Sequence, residues 1–236
     1  MNLYNVKSLI FALILISISI ISYSQPIIGI HAGLNAAALN GDKTFDENKL
    51  RLGINAYAFI DIPFNYIVSL ETGIEYANKG MHFESVIPAL GSTNTIKVKY
   101  HLDYVVLPVY IKENFTNFYT KIGPYAAYLI NSKSSWENTQ EKGGIYTVTT
   151  GVDETFQDDL RFFDGGISIG LGYIHYLEKK YRKRAGRSRR RKSAIMQFDL
   201  KYDIGFFNLD ATGRNDDFKL KNRVFTIGIS FTSVLD

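Results

Sequence analysis

Between residues 49 and 62 every second side chain is apolar. Leu50, Leu52, Ile54, Ala56, Ala58, Ile60 and Ile62 share one face of an extended chain, and Lys49, Arg51, Asn55, Tyr57 and Asp61 share the other. Side chains alternate across a strand with a period of two, so the segment reads as a β-strand with one aliphatic and one charged face. It is longer than the ~9–11 residues with which a tilted strand crosses a bilayer core. The pattern recurs at 27–38, 66–77, 96–112, 117–130, 161–176, 194–207 and 221–232. Eight is an even number, as single-chain bacterial membrane barrels require. The chain is therefore expected to be all-β, an eight-stranded antiparallel up-and-down transmembrane barrel.

Faces follow from the alternation. Ile28, Ile30 and Leu34 are expected outward, as are Val68, Leu70, Ile74 and Tyr76. The same holds for Phe118, Ile122 and Tyr128, for Ile167, Ile169 and Leu171, for Phe198, Leu200 and Tyr202, and for Phe225, Ile227 and Ile229. In 96–112, Val98, Tyr100, Leu102, Tyr104, Val106, Pro108 and Tyr110 stand opposite Lys97, Lys99, His101 and Asp103, so the second set is expected in the lumen. Beyond Val105 both faces of this strand are apolar. Pro108 cannot donate to a ladder, and a bulge or bend is expected near it. Links alternate in length, tight at 63–65 and 113–116 and long at 79–95 and 131–160. Short turns face the periplasm in such barrels and long loops face outside, which puts both termini in the periplasm.

The first residues carry an export signal. Lys7 precedes the apolar run from Leu9 to Ile21, and Ser22-Tyr23-Ser24 offers small residues for cleavage before Gln25. Residues 1–24 are thus expected to be a cleaved signal peptide and 25–236 an outer-membrane barrel domain. A barrel strand needs only one apolar face, so a mean hydropathy of −0.06 is compatible with a membrane protein. The chain has no cysteine, which excludes disulfides, thiolate metal sites and thiol nucleophiles. Its net charge is +4, but ten cations fall within 179–192: Lys179, Lys180, Arg182, Lys183, Arg184, Arg187, Arg189, Arg190, Arg191 and Lys192. Without those ten the remainder is at −6, so the charge is a local basic turn and not a nucleic-acid footprint. Such a turn reads as a solvated segment, or as a contact for anionic headgroups or an anionic envelope partner on the periplasmic side.

A soluble ligand-binding barrel would alternate in the same way with its faces inverted. Long apolar faces ending in Tyr or Phe, opposite charges at strand middles, favour lipid outside. On the polar faces Lys49, Arg51, Lys97, Lys99, Lys121 and Lys201 stand against Asp61, Glu71, Glu75, Asp103, Asp164, Asp199 and Asp203. An eight-stranded barrel has an interior just wide enough for side chains to fill. Charges of both signs there should pair across it and plug it, because unpaired buried charge is costly. The expected lumen network is Arg51, Glu71, Glu75, Lys99, His101, Asp103, Lys121, Asp164, Asp199, Lys201 and Asp203. His31 and His101 are read as members of such networks. No nucleophile elbow or metal-ligand spacing is present, so no catalytic, cofactor or metal site is expected.

The segments Gly29 to Asn35 (GIHAGLN), Leu70 to Gly80 (LETGIEYANKG), Tyr104 to Lys112 (YVVLPVYIK), Lys121 to Leu129 (KIGPYAAYL), Asp164 to Tyr173 (DGGISIGLGY) and Lys221 to Phe231 (KNRVFTIGISF) follow one another through most of the mature chain. As an ordered set they resemble the porin-like or PorT-like outer-membrane barrels of Bacteroidota, which have the eight-stranded OmpA and OmpX shape. The resemblance implies an outer-membrane location and no particular reaction. The chain departs from the usual aromatic ending, because Thr-Ser-Val-Leu-Asp follows Phe231. The expected function is a non-enzymatic, monomeric barrel in contact with outer-membrane lipid, serving envelope structure or surface interaction through its long loops. A narrow porin-like channel or a secretion-system accessory is the alternative.

Overall fold

The computed structural model describes residues 25–40, 48–89, 92–153, 160–177, 194–209 and 221–234. The signal segment 1–24 and the basic run 179–192 lie outside the described residues. Among the described residues there are ten strands: β1 (Ile27–Asn40), β2 (Asn48–Lys49), β3 (Arg51–Pro63), β4 (Val68–Ala89), β5 (Ser92–Asn114), β6 (Phe118–Lys142), β7 (Ile145–Asp153), β8 (Phe163–Leu177), β9 (Ala194–Gly205) and β10 (Lys221–Val234). Eight of them close a ring. Antiparallel ladders join β1 to β3, β3 to β4, β4 to β5, β5 to β6, β6 to β8, β8 to β9 and β9 to β10. Pairing of β10 with β1, from Ile27↔Val234 to Asn40↔Lys221, shuts the cylinder. A closed sheet leaves no edge strand in the ring. β2 prolongs β3 along the same edge of β4, and β7 pairs on the part of β6 beyond its ladder with β8.

The wall is aliphatic outside and polar inside. Leu52 is 77% exposed, while Asn55, Asp61 and Glu71 are at most 5% exposed. Ile62, beside the first turn, is the one member of its predicted outer row that is buried. Exposed aromatics border the aliphatic band at both ends. Phe118 packs edge-on to Tyr173 at the end with the tight turns, and Tyr128 packs on Phe162 and Phe163 at the other. Such girdles mark the two interfaces of a membrane barrel.

Two expectations need correction. The segments 79–95 and 131–160 are not simply loops. β4, β5 and β6 run for 22, 23 and 25 residues, about twice what the bilayer core needs. They rise beyond the band as one four-stranded extension in the order β4–β5–β6–β7. Alternating Thr and β-branched residues in 145–150 (IYTVTT) suit a strand. Gly143 and Gly144, with φ of 59° and 81°, form the two-residue hairpin turn that needs positive φ at both positions. The second correction concerns the bulge expected near Pro108. The register shift lies at Asp103/Tyr104, and Pro108 keeps its place opposite Tyr125.

Candidate functional site

Toward the tight-turn end the lumen is filled by ions. Lys112 Nζ lies 3.1 Å from Asp61 Oδ2 and 3.1 Å from Glu71 Oε2. Lys121 Nζ donates to Glu71 Oε1 at 2.8 Å and stands 3.6 Å from Asp199 Oδ1. Tyr119 donates its hydroxyl to Asp199, and Ser230 donates to the same carboxylate at 2.6 Å. His31 Nδ1 lies 3.3 Å from Asp199 Oδ2 and 3.0 Å from Ser230 Oγ. Higher up, Lys201 Nζ grips Glu75 Oε1 and Oε2 at 2.7 and 2.8 Å and approaches Asp203 at 3.5 Å. Asn55 and Ser168 complete the shells of Glu75 and Asp203. Tyrosine rings sit beside the ammonium groups, with Lys112 4.2 Å from the Tyr119 ring centre and Lys121 5.0 Å from that of Tyr110. Gly172 makes room for this packing, since a Cβ there would overlap the Tyr119 ring. A void of about 10 Å³ remains among His31, Asn55, Glu75, Lys121, Asp199 and Lys201, room for one water.

Toward the hairpin end the lumen is apolar. Leu39, Ala77, Met81, Leu102, Tyr104, Val106, Tyr125, Ala127 and Leu129 form one buried cluster. Leu160 and Leu209 cover it from the connecting segments, which are tied together by Arg161 N donating to Leu209 O at 2.8 Å. Phe162 O accepts from Leu129 N at 2.7 Å. Lys79 is fully buried here, with its Nζ 4.8 Å from the Tyr125 ring centre and 5.4 Å from that of Tyr104. Among the described residues its ammonium has no hydrogen-bond partner.

The structure divides the expected network. Glu71, Glu75, Lys121, Asp164, Asp199, Lys201 and Asp203 are buried in the lumen. Asp164 lies apart from the lysines, accepting from Gly165 N at 2.8 Å and Asn222 Nδ2 at 2.7 Å. Lys99, His101 and Asp103 are on the outer side, contrary to expectation, because β5 is turned the other way round: Leu102, Tyr104, Val106 and Tyr110 point inward. Asp103 binds Tyr76, Asn78 and Asn131 there. Arg51 fills the gap where the β3–β4 ladder opens above Asn55↔Ala77, donating to Lys79 O and contacting His101 Nδ1. Lys112 and Lys79 were not anticipated as lumen cations. Lys112 shares the parity of Tyr110, and a charge that deep in the band had to face inward. Lys79 continues the inward row of Glu71, Glu75 and Ala77, which Met81 extends past Gly80, so its parity also marked it as inward. The basic run from Lys179 to Lys192 lies outside the described residues.

The family described as outer membrane protein beta-barrel domain matches residues 23–211. None of the curated proteins matches the chain. Solved structures similar to it include Ail, the attachment invasion locus protein of Yersinia pestis, at 9% identity and a TM-score of 0.34, covering 88% of this chain and 99% of that one. Neisserial surface protein A is similar at 8% identity and a TM-score of 0.36, covering 88% and 97%. OprG of Pseudomonas aeruginosa is similar at 12% and 0.35, covering 89% and 96%. With a family match over most of its length and a closed eight-stranded ring that is aliphatic outside, the chain belongs to the outer-membrane β-barrel family and resides in the bacterial outer membrane.

Proposed function

We propose that this protein is a non-enzymatic, non-conducting barrel that works through its surface extension, in envelope structure or surface interaction. The observation that carries this reading is the filled lumen. Lysine–carboxylate clusters occupy one half and a leucine–tyrosine layer the other, and the gap beside His31, Lys121 and Lys201 is no bigger than a water. With the interior closed, the main surface available for function among the described residues is the extension made by β4, β5, β6 and β7. These carry exposed Val86, Ile87, Ile145, Tyr146 and Val148. In the orientation general to such barrels, the extension points out of the cell and the tight turns point into the periplasm. The PorT-like segments agree with an envelope role and bring no reaction with them. Single-channel recording on purified protein in planar bilayers tests the closed lumen: no conductance steps are expected, and stable, sizeable steps would favour the porin-like alternative. Protease shaving of intact cells tests orientation, with cleavage expected within 131–160.

A further inference from the structure

The void in the ionic half borders both of its clusters. His31, Lys121 and Asp199 line it from the cluster built on Glu71, and Asn55, Glu75 and Lys201 line it from the cluster above. Among the described residues, no hydrogen bond or ion pair runs directly from one cluster to the other. Three groups on the lining are orphans. Asn55 Oδ1 and the hydroxyls of Tyr57 and Tyr110 are buried and meet no hydrogen-bond partner in the protein. The amide of Asn55 is fixed in direction, because its Nδ2 donates to Glu75 Oε1 at 2.9 Å and a carboxylate cannot accept from a carbonyl oxygen. Protein interiors pair nearly all such atoms, with other protein groups or with ordered water, because an unpaired one is costly. Gly33 makes room beside them: a Cβ there would stand 2.6 Å from Asn55 Oδ1 and 2.9 Å from His31 Nε2.

Size, charge and hydrogen-bonding capacity select the occupant. A volume of about 10 Å³ admits one water and nothing larger. Two carboxylates and two ammonium groups border the space, Glu75 and Asp199 against Lys121 and Lys201, so their charges cancel and call for no ion. The orphans are two donors and one acceptor. A water has two lone pairs and two hydrogens. It can accept from Tyr57 and Tyr110 and donate to Asn55 Oδ1, with one hydrogen left for Asp199 on the same lining. We propose that the void holds one ordered water, which joins the two ionic clusters into a single network through Asn55 on one side and Asp199 on the other. The water also ties β3, through Asn55 and Tyr57, to β5, through Tyr110, two strands that share no ladder. The site lies wholly in the interior and is independent of whatever partner the extension meets.

The test is a crystal structure of the full-length protein at a resolution that shows ordered water. One density peak is expected, ~2.5–3.0 Å from Asn55 Oδ1, from the hydroxyls of Tyr57 and Tyr110 and from a carboxylate oxygen of Asp199. An empty void would overturn the proposal, as would hydroxyls turned straight onto Glu75 or Asp199, or a water out of reach of Asp199. Crystals soaked in rubidium chloride separate water from a cation, and an anomalous signal in the void would refute the water. In bilayers, proton-detected NMR of protein labelled at asparagine reads the same site, with a cross-peak expected between water and the Asn55 side-chain amide. The Y57F/Y110F variant keeps both rings and removes both donors, so that cross-peak should fall about fivefold or more. An undiminished cross-peak would overturn the assignment, and an unchanged heat-modifiable gel shift establishes that the variant is folded.

Discussion

The two halves of the lumen close the same cylinder by opposite means. Near the tight turns, Lys112, Lys121 and Lys201 are clamped between Asp61, Glu71, Asp199, Glu75 and Asp203. Under the extension, Leu102, Tyr104, Val106, Leu129, Leu160 and Leu209 pack with hardly a charge among them. The ionic half depends on every partner being present, because a buried charge without its counterion is far costlier than the pair is stabilising. The apolar half depends on volume, and it degrades in proportion to the atoms removed. Failure should therefore be abrupt in one half and graded in the other.

Glu71 is the most sensitive position, since it receives both Lys112 and Lys121. Glu71→Leu should destabilise the barrel by about 3–5 kcal/mol by leaving two buried ammonium groups short of a partner. Urea unfolding in detergent measures this. Adding Lys112→Met and Lys121→Met should recover most of the loss, and no recovery would contradict the pairing. Leu102→Ala, in the apolar half, should cost about 2–4 kcal/mol in the same assay. A second change at Leu209, in the same buried cluster, should couple with it and not simply add. Gly172→Ala presses a methyl group into the Tyr119 ring and should cost about 1–3 kcal/mol. The smallest effect belongs to the extension: Glu137→Gln breaks an exposed pair with Lys97 and should leave the unfolding midpoint unchanged.

Most of this arrangement was legible in the alternation of side chains. β1, β8, β9 and β10 face as the pattern predicts, because each has polar residues on one row only, and β6 does so although Lys121 is the one charge on an inward row that also holds Tyr119, Tyr125, Ala127 and Leu129. β5 does not. From Leu102 to Ile111 both of its rows are apolar, and either can face lipid. Lys97, Lys99, His101 and Asp103 suggested one parity, but they stand above the aliphatic band, where a charge facing outward meets water and headgroups at little cost. Lys112 lies within the band and had the deciding weight. The extension was hidden for a related reason. Ser, Thr, Asn and Gly favour turns locally, yet pairing along β4–β5 and β6–β7 holds them extended. That inversion of β5 turned an expected all-polar lumen into one with an apolar upper half, and moved three expected lumen residues to the outer wall.

The central claim is that lipid covers the aliphatic rows while the charged rows are packed away from solvent. The chain contains no cysteine, so single cysteines introduced for spin labels are unique reporters. Labels at Leu200, Ile227 and Ile169 in bilayers should relax by collision with oxygen, which partitions into lipid, and be shielded from a water-soluble nickel complex. Dominant collision with the nickel complex at all three positions would contradict the claim.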